Sequence, residues 1–427
     1  MRAAKIFFFF LAALTLLFLT GCFGSRETDE TFYVLAMGFD KGEKDNMVVT
    51  VSIANPKAIA GMGGGGGGGG SAKGEGKNVV VQSVETYGPL AGIEQLGTST
   101  SRHLSLLHTK AYIFSEDMAR EGLGSWFSTL SRYHELRATS YVFVCRGKAK
   151  DFLEKNQPPL ELSPTKQYEL IGSLSAAHGL YQNSMFKEFY QDYKSWSIEP
   201  SLPLAAIHEG GLETAKPGVV KGGEQTLGRY VAGEVPITGE NKAQFDGTAV
   251  FRGDKMVGTL NGEETRYYLM LRGQFENGFL IILDPLVAEP SGIGLSVHQA
   301  RSPKYATRFN EDGSVTVDVD IYLEADLAAM LSGINYESPD NKPILEEAFS
   351  ENIREGCQKL IERTQEEFKS DIFGFGEQVK GHFWTVQSWR NFDWLQKYPE
   401  AQVNVTVHTR IRRTGLQLKT TQVKSGE

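Results

Sequence analysis

The chain has 427 residues, 41% hydrophobic with 11% aromatic, and a formal net charge of −8. That apolar content supports packed cores and excludes a disordered stalk, while the length favours two or three domains. The acidic balance argues against nucleic acid and against a general electrostatic grip on anionic lipid.

Arg2 and Lys5 begin the chain with positive charge, and Ile6 to Leu19 is an apolar run, with Thr15 alone polar, that leads into Leu19-Thr20-Gly21-Cys22. This is the layout of a bacterial secretory signal closed by a lipoprotein-processing box. As a helix the run reaches only about 21 Å, short of a hydrocarbon core of roughly 30 Å. Residues 1–21 are therefore expected to be a signal peptide. Cys22 is the expected lipidation site, carrying a diacylglyceryl group on its thiol, and 22–30 a lipidated tether. Two acyl chains anchor stably at about 0.8 kcal/mol per buried methylene, where one holds only marginally.

A first α/β domain is expected over 31–205. Phe32 to Asp40, Met47 to Ala54 and Asn78 to Thr86 read as strands. Between the last two lies a loop, 61–76, holding eight consecutive glycines, Gly63 to Gly70. No Gly-Lys-Ser/Thr ending follows, so slack between strands is expected in place of a phosphate cradle. Helical patterning follows over Leu90 to Ser99 and Glu116 to Tyr133, around an Ala111 to Phe114 strand. Ala138 to Val144 is a further strand, with helices over Lys148 to Lys155 and Pro164 to Ser173.

Residues 206–290 read as a linker and small middle domain. Glu209 to Glu240 is Gly-rich and weakly patterned; Thr248 to Phe251 and Lys255 to Gly258 then flank the tight turn Arg252-Gly253-Asp254. A helix from Gly262 to Leu271 and a strand from Phe279 to Leu283 complete it. The last domain, 291–416, shows the clearest periodicity. Val315, Val317, Val319, Ile321 and Leu323 alternate with polar residues, as do Val403, Val405, Val407 and Ile411. Between them Leu345, Phe349, Ile353, Cys357, Leu360, Ile361 and Phe368 form one helical stripe. The expected architecture is mixed α/β (α+β) in three domains, the last an antiparallel sheet covered by a long helix, with 417–427 a tail.

Local signatures of catalysis are missing: there is no Gly-x-Ser-x-Gly elbow, no His-Glu-x-x-His and no Cys-x-x-Cys. His103 and His108 lack a third ligand at suitable spacing, as does His134 beside Glu135. Asp318 and Asp320 share the solvated face of a strand, and Arg410, Arg412 and Arg413 read as the charged end of a final strand. Cys145 and Cys357 read as buried thiols, with a disulfide between them left open. No catalytic, metal-binding or cofactor-binding residue is therefore assigned.

Five segments nevertheless resemble one family in order. They are Met37-Gly38-Phe39-Asp40 with Val49 to Pro56, His108 to Gly122, Gly247 to Gly258 with Leu260, Glu263 and Glu264, Lys369 to Gly376, and Ile411 to Gly415. Together, behind the lipid box, they are similar to the Ger(x)C family, the lipoprotein C subunits of spore germinant receptors. The resemblance implies three mixed α/β domains, no enzymatic activity, and assembly with two integral membrane proteins, an A subunit and a transporter-like B subunit. It also implies a place on the outer face of the cell membrane, in spores the inner membrane. Phe23-Gly24-Ser25 departs from the aromatic–acidic pair common after the family's lipidated cysteine. The competing expectation is a solute-binding lipoprotein of a transporter, which calls for two similar-sized lobes around a ligand cleft.

Overall fold

The computed structural model describes residues 30–55, 78–159, 161, 164–211, 229–287, 291–330 and 332–414, with positions 2, 5–7 and 9 near the N-terminus. The rest of the signal, Cys22, the loop 61–76 and the tail 417–427 lie outside the described residues.

The first sheet begins with β1 (Thr31–Lys41), β2 (Met47–Ala54) and β3 (Val79–Thr86), an antiparallel meander in which β2 pairs with both neighbours. The short strand β4 (His103–Ser105) runs parallel to the start of β1. Then β5 (Ala111–Ser115), β6 (Tyr141–Cys145) and β7 (Ser201–Ile207) add in parallel, and β8 (Ala243–Arg252) and β9 (Lys255–Leu260) close the sheet antiparallel. The order is β3-β2-β1-β5-β6-β7-β8-β9, with β4 off this path.

The central strands read as continuous apolar runs because helices cover both faces. On one face lie α1 (Pro89–Gly97), α2 (Glu116–Glu121) and α3 (Gly124–Leu130). The other face is packed by α4 (Ala149–Lys155) and α5 (Pro164–His178), and α6 (Phe186–Lys194) returns to the first. Phe127 anchors the first core, its ring 5.5 Å from Phe114, 4.6 Å from Phe186 and 4.4 Å from Phe189. Aromatic pairs at such spacing contribute about 0.5–1.5 kcal/mol beyond their area.

The second sheet follows α7 (Gly262–Arg272) and contains β10 (Asn277–Leu283), β11 (Gly292–Phe309), β12 (Val315–Met330) and β13 (Gln402–Arg413), in that order. The alternation of β12 and β13 places their valines inside and, apart from the buried Thr316 and Thr409, their polar residues outside. Across that inner face lies α8 (Lys342–Arg363), burying Leu345, Phe349, Ile353, Cys357, Leu360 and Ile361 as its stripe requires. A π-turn over Thr364–Phe368 ends it, followed by α9 (Phe375–Val379), α10 (Val386–Phe392) and α11 (Trp394–Lys397).

Two expectations need correction. The sheet is antiparallel from β10 to β12, but β13 pairs with β12 in parallel. Helix α8 carries the chain back along the sheet, so β13 starts from the same end as β12. Within 206–290, the described residues are divided between the sheets: β8 and β9 extend the first, while β10 pairs with β11 of the second. Val250, Leu260 and the apolar residues of α7 join the core of the second sheet, so this segment shares its neighbours' cores. The weakly patterned stretch is also held where it is described: Gly233 and Val235 N–H groups donate to Gln244 Oε1 at 2.9 and 3.1 Å.

Candidate functional site

The seam between the two sheets gathers most of the buried polar chemistry. After the π-turn, Lys369 takes a left-handed conformation (φ 51°) and turns the chain toward β8. Ser370 Oγ donates to the Phe251 carbonyl at 2.5 Å. Asp371, 1% exposed, then organises the following turn. Its Oδ1 accepts from the N–H groups of Phe373 (3.1 Å), Gly374 (3.0 Å) and Phe375 (3.3 Å). Its Oδ2 accepts from Gly376 N–H (3.0 Å) and Trp394 Nε1–H (2.8 Å). Burial pushes this carboxyl's pKa up, while the N–H donors of Trp394, Gly376, Phe375 and Gly374 pull it back by favouring the charged form. Gly376 is required by space: a Cβ there would strike the Ser197 carbonyl and the Trp394 ring.

The same seam seats the β8–β9 turn. Gly253 N–H donates to Glu199 Oε2 at 2.6 Å, and Glu199 N–H donates to the Asp371 carbonyl at 2.8 Å. Leu123 N–H donates to the Asp254 carbonyl (2.8 Å) and Gly124 N–H to Asp254 Oδ2 (3.2 Å). Burial, reinforced by the charge of Asp371, pushes Glu199 up to about 7 against the pull of the Gly253 N–H and Arg252. Nearby, Arg272 bridges Tyr268 Oη (2.7 Å) and Asp192 (3.0 Å). Arg266, 2% exposed, donates to the carbonyls of His178 and Phe279, tying the end of α5 to β10. Asp246, which feels the charge of Arg266, is pushed up to about 8 by burial.

Three of the sequence segments, His108 to Gly122, Gly247 to Gly258 and Lys369 to Gly376, therefore meet at or beside one seam. The segment around Gly38 does comparable work on the opposite face. Asp40 accepts from the Ala149 and Lys150 N–H groups at 2.7 and 2.9 Å, capping α4, and Gly38 leaves room for Ala149 and Leu153. Asp371, Glu199, Asp254 and Asp40 thus accept from backbone donors, which makes them positioning groups.

The residues weighed for chemistry are dispersed. His103 is exposed, His108 packs edge-on to Tyr33, and Glu135 accepts from Leu106 N–H at 2.7 Å. Asp318 pairs with Arg308 and Asn404, and Asp320 with His408, on the outer face. Arg410 and Arg412 pair with Glu346 and Glu324 along the exposed edge strand β13. Cys145 and Cys357 are free and buried in separate cores. Among the described residues, no group of three or more His, Cys, Asp or Glu is placed to hold a metal ion. A cleft of about 790 Å³ opens between α1 and β4, lined by Glu30, Glu94, Arg102, His103 and Tyr133. A second, of about 420 Å³, lies at the seam between Asp192, Arg272, Tyr305, Phe373 and Glu377. Sequence reasoning missed Glu199, Asp246, Arg266 and Arg272, since nothing local distinguishes a buried charge from a solvated one.

Comparison with known proteins decides what this architecture is. Residues 24–207 match the family model described as spore germination protein N-terminal domain, and 246–415 match the one described as spore germination B3/GerAC like, C-terminal. The chain belongs to the Ger(x)C family. Its relatives include three Bacillus subtilis (strain 168) proteins whose names all refer to spore germination. YfkR is 24% identical over 96% of this chain and 97% of its own length. YndF is 23% identical over 95% and 96%, and KC is 22% identical over 95% of each chain. The crystal structure of the GerBC protein aligns with a TM-score of 0.51 at 16% identity, covering 88% of this chain and 96% of that one. That likeness shows a shared mixed α/β fold. The segments read from sequence as Ger(x)C-like are thus fold-holding positions of a Ger(x)C chain, concentrated where its two sheets meet.

Proposed function

We propose that this protein is a non-catalytic, lipid-anchored subunit of a nutrient germinant receptor, supporting spore germination by assembling with two integral membrane subunits. The observation that carries the reading is the match to spore germination family models on both halves of the chain, in order. The geometry is consistent with it, because Asp371 and Glu199 at the seam accept from backbone N–H groups. A receptor subunit with this architecture works by presenting surfaces, and its acyl tether confines those surfaces to the membrane that holds its partners. Confinement makes association nearly intramolecular, which raises occupancy without new contacts. Among the described residues no helix is long and apolar enough to cross a membrane.

The test is Cys22→Ala in a spore-forming host. The variant is expected to fold normally, to leave the membrane fraction, to lose acyl labelling and to lower nutrient-triggered germination. Retention of the variant in the membrane with its acyl label intact would refute Cys22 as the anchor. Normal germination by spores lacking the whole chain and its paralogues, under every nutrient regime tried, would refute the receptor role.

A further inference from the structure

Between α9 and α10 the chain builds a projecting tip. Phe383 turns inward onto Trp389, Phe392 and Phe309, with ring centroids 5.3, 4.9 and 5.9 Å apart. Thr385 Oγ1 caps α10 by accepting from Ser388 N–H at 3.0 Å. This rigid base holds Trp384 fully in water, 100% exposed, with Val386 beside it at 67%. Trp384 is the most exposed large apolar side chain among the described residues. Trp196, half exposed, stands next to this surface, its ring 5.2 Å from the Arg390 guanidinium. Holding two tryptophans at the surface sacrifices burial that the core would reward, and such residues mark contact surfaces.

The charge around the tip runs against that of the whole molecule. Residues 380–397 carry Lys380, Arg390 and Lys397 against Asp393 alone, in a chain of net charge −8. Lys380 reaches Glu377 only at 3.7 Å, with both side chains about half exposed. Exposed tryptophan and valine on a segment with a cationic excess is the composition that settles at the headgroup level of an anionic bilayer.

Topology places the tip at a particular end. Strands β1, β5, β6 and β7 are mutually parallel neighbours, so they all start at the same end of the sheet. The lead from Cys22 enters at the start of β1, and Trp196 lies just ahead of β7. Three strand spacings, about 14 Å, separate those starts laterally. The end where the tether enters is therefore the end that carries Trp196 and its partner Arg390.

We propose that Trp384, Val386 and Trp196, with Lys380, Arg390 and Lys397 around them, form a second membrane contact that seats in the interface of an anionic lipid bilayer. The proposal rests on the tether reading above. The acyl group holds the chain at the membrane, and the tip fixes which way the two sheets face. A tethered globule with a single anchor point tumbles, whereas two separated points define an orientation in which partner-facing surfaces are presented repeatedly.

The experiment uses the acylated full chain in vesicles of equimolar phosphatidylglycerol and phosphatidylethanolamine. Trp384→Cys carries an environment-sensitive fluorophore, since Cys145 and Cys357 are buried and take none in the folded state. Tyr87→Cys is the control: it is 76% exposed but follows β3, whose end pairs with the start of β2 at the far end of the sheet. The label at 384 is expected to shift to the blue and to be quenched about tenfold more than that at 87 by brominated lipid. Chain that floats with the vesicles while both labels stay unquenched overturns the tip and leaves the tether standing. Chain that fails to float overturns the tether. The tip is then judged by flotation of Cys22→Ala on the same vesicles at low salt, with and without Trp384→Ala. Loss of binding on adding Trp384→Ala supports the tip, and equal binding overturns it. Protection of the 384 label only when an integral membrane protein partner is supplied would make the surface a protein contact and overturn the lipid assignment.

Discussion

Removing the Asp371 side chain should be among the most damaging single changes available to this fold. Asp371→Ala leaves five N–H groups without their acceptor: the amides of Phe373, Gly374, Phe375 and Gly376, and the indole of Trp394. Each buried donor left unpaired costs about 1–3 kcal/mol, but the turn relaxes and lets in water, so the sum is an overestimate. A loss of about 4 kcal/mol or more is expected, in the sparse tail of single-mutant effects and a large share of a typical 5–15 kcal/mol stability. Asp371→Asn separates charge and acceptor count from shape. The amide keeps one oxygen for the three donors on Oδ1 and sets its NH2 against the Gly376 and Trp394 donors, for a loss of about 2–3 kcal/mol. Trp394→Phe removes one donor and leaves the carboxylate four, at about 1–2 kcal/mol. Urea unfolding of the full chain, followed by circular dichroism, reads all three. The expected order is Ala worst, then Asn, then Trp394→Phe. An Asp371→Ala chain within about 1 kcal/mol of the parent would show that the turn is held by its apolar packing and would refute the reasoning.

Glu199 makes stability depend on pH. Burial raises its folded-state pKa from 4.5 to about 7, so the folded chain holds a proton that the unfolded chain has released. This contribution is present below the unfolded value and is lost as pH rises toward 7. At about 1.4 kcal/mol per pH unit it amounts to about 3 kcal/mol at most. Glu199→Gln keeps an acceptor for Gly253 N–H and should flatten that part of the pH–stability curve, with a gain over the parent at pH 8 seen by urea titration. A variant with the parent's slope between pH 5 and 8 would exclude Glu199 as its source. Phe349→Ala, which empties a fully buried position on α8, should cost about 3–5 kcal/mol by the same assay. A loss under about 1 kcal/mol would mean that α8 is not what covers the second sheet. Cys145 and Cys357 sit in separate cores with thiol pKa values pushed up by burial. Both should resist alkylation in the folded chain and react in urea without prior reduction. Reaction only after reduction would reveal a disulfide.

Much of the fold was legible in the sequence because hydrophobic periodicity is a local property that tertiary packing then satisfies. The alternating valines of β12 and β13 and the stripe of α8 announce half-buried strands and a half-buried helix. The pure apolar runs of β5 and β6 announce strands covered on both faces. Strand β11 escaped notice because Arg301 to Lys304, with Pro303, interrupts its alternation; the sheet absorbs that break as shifts in register. Partnership between strands was not legible. Nothing in β13 says whether it meets β12 in parallel, because that follows from the path of the helix between them. Nor does the Thr248 to Gly258 hairpin reveal that it completes the first sheet while lending Val250 to the second core. Asp371 reads in sequence as a polar residue before a glycine-rich turn. Only the folded chain, by carrying Trp394 and the Gly376 amide to one oxygen and the amides of Phe373, Gly374 and Phe375 to the other, makes that carboxylate the centre of the seam.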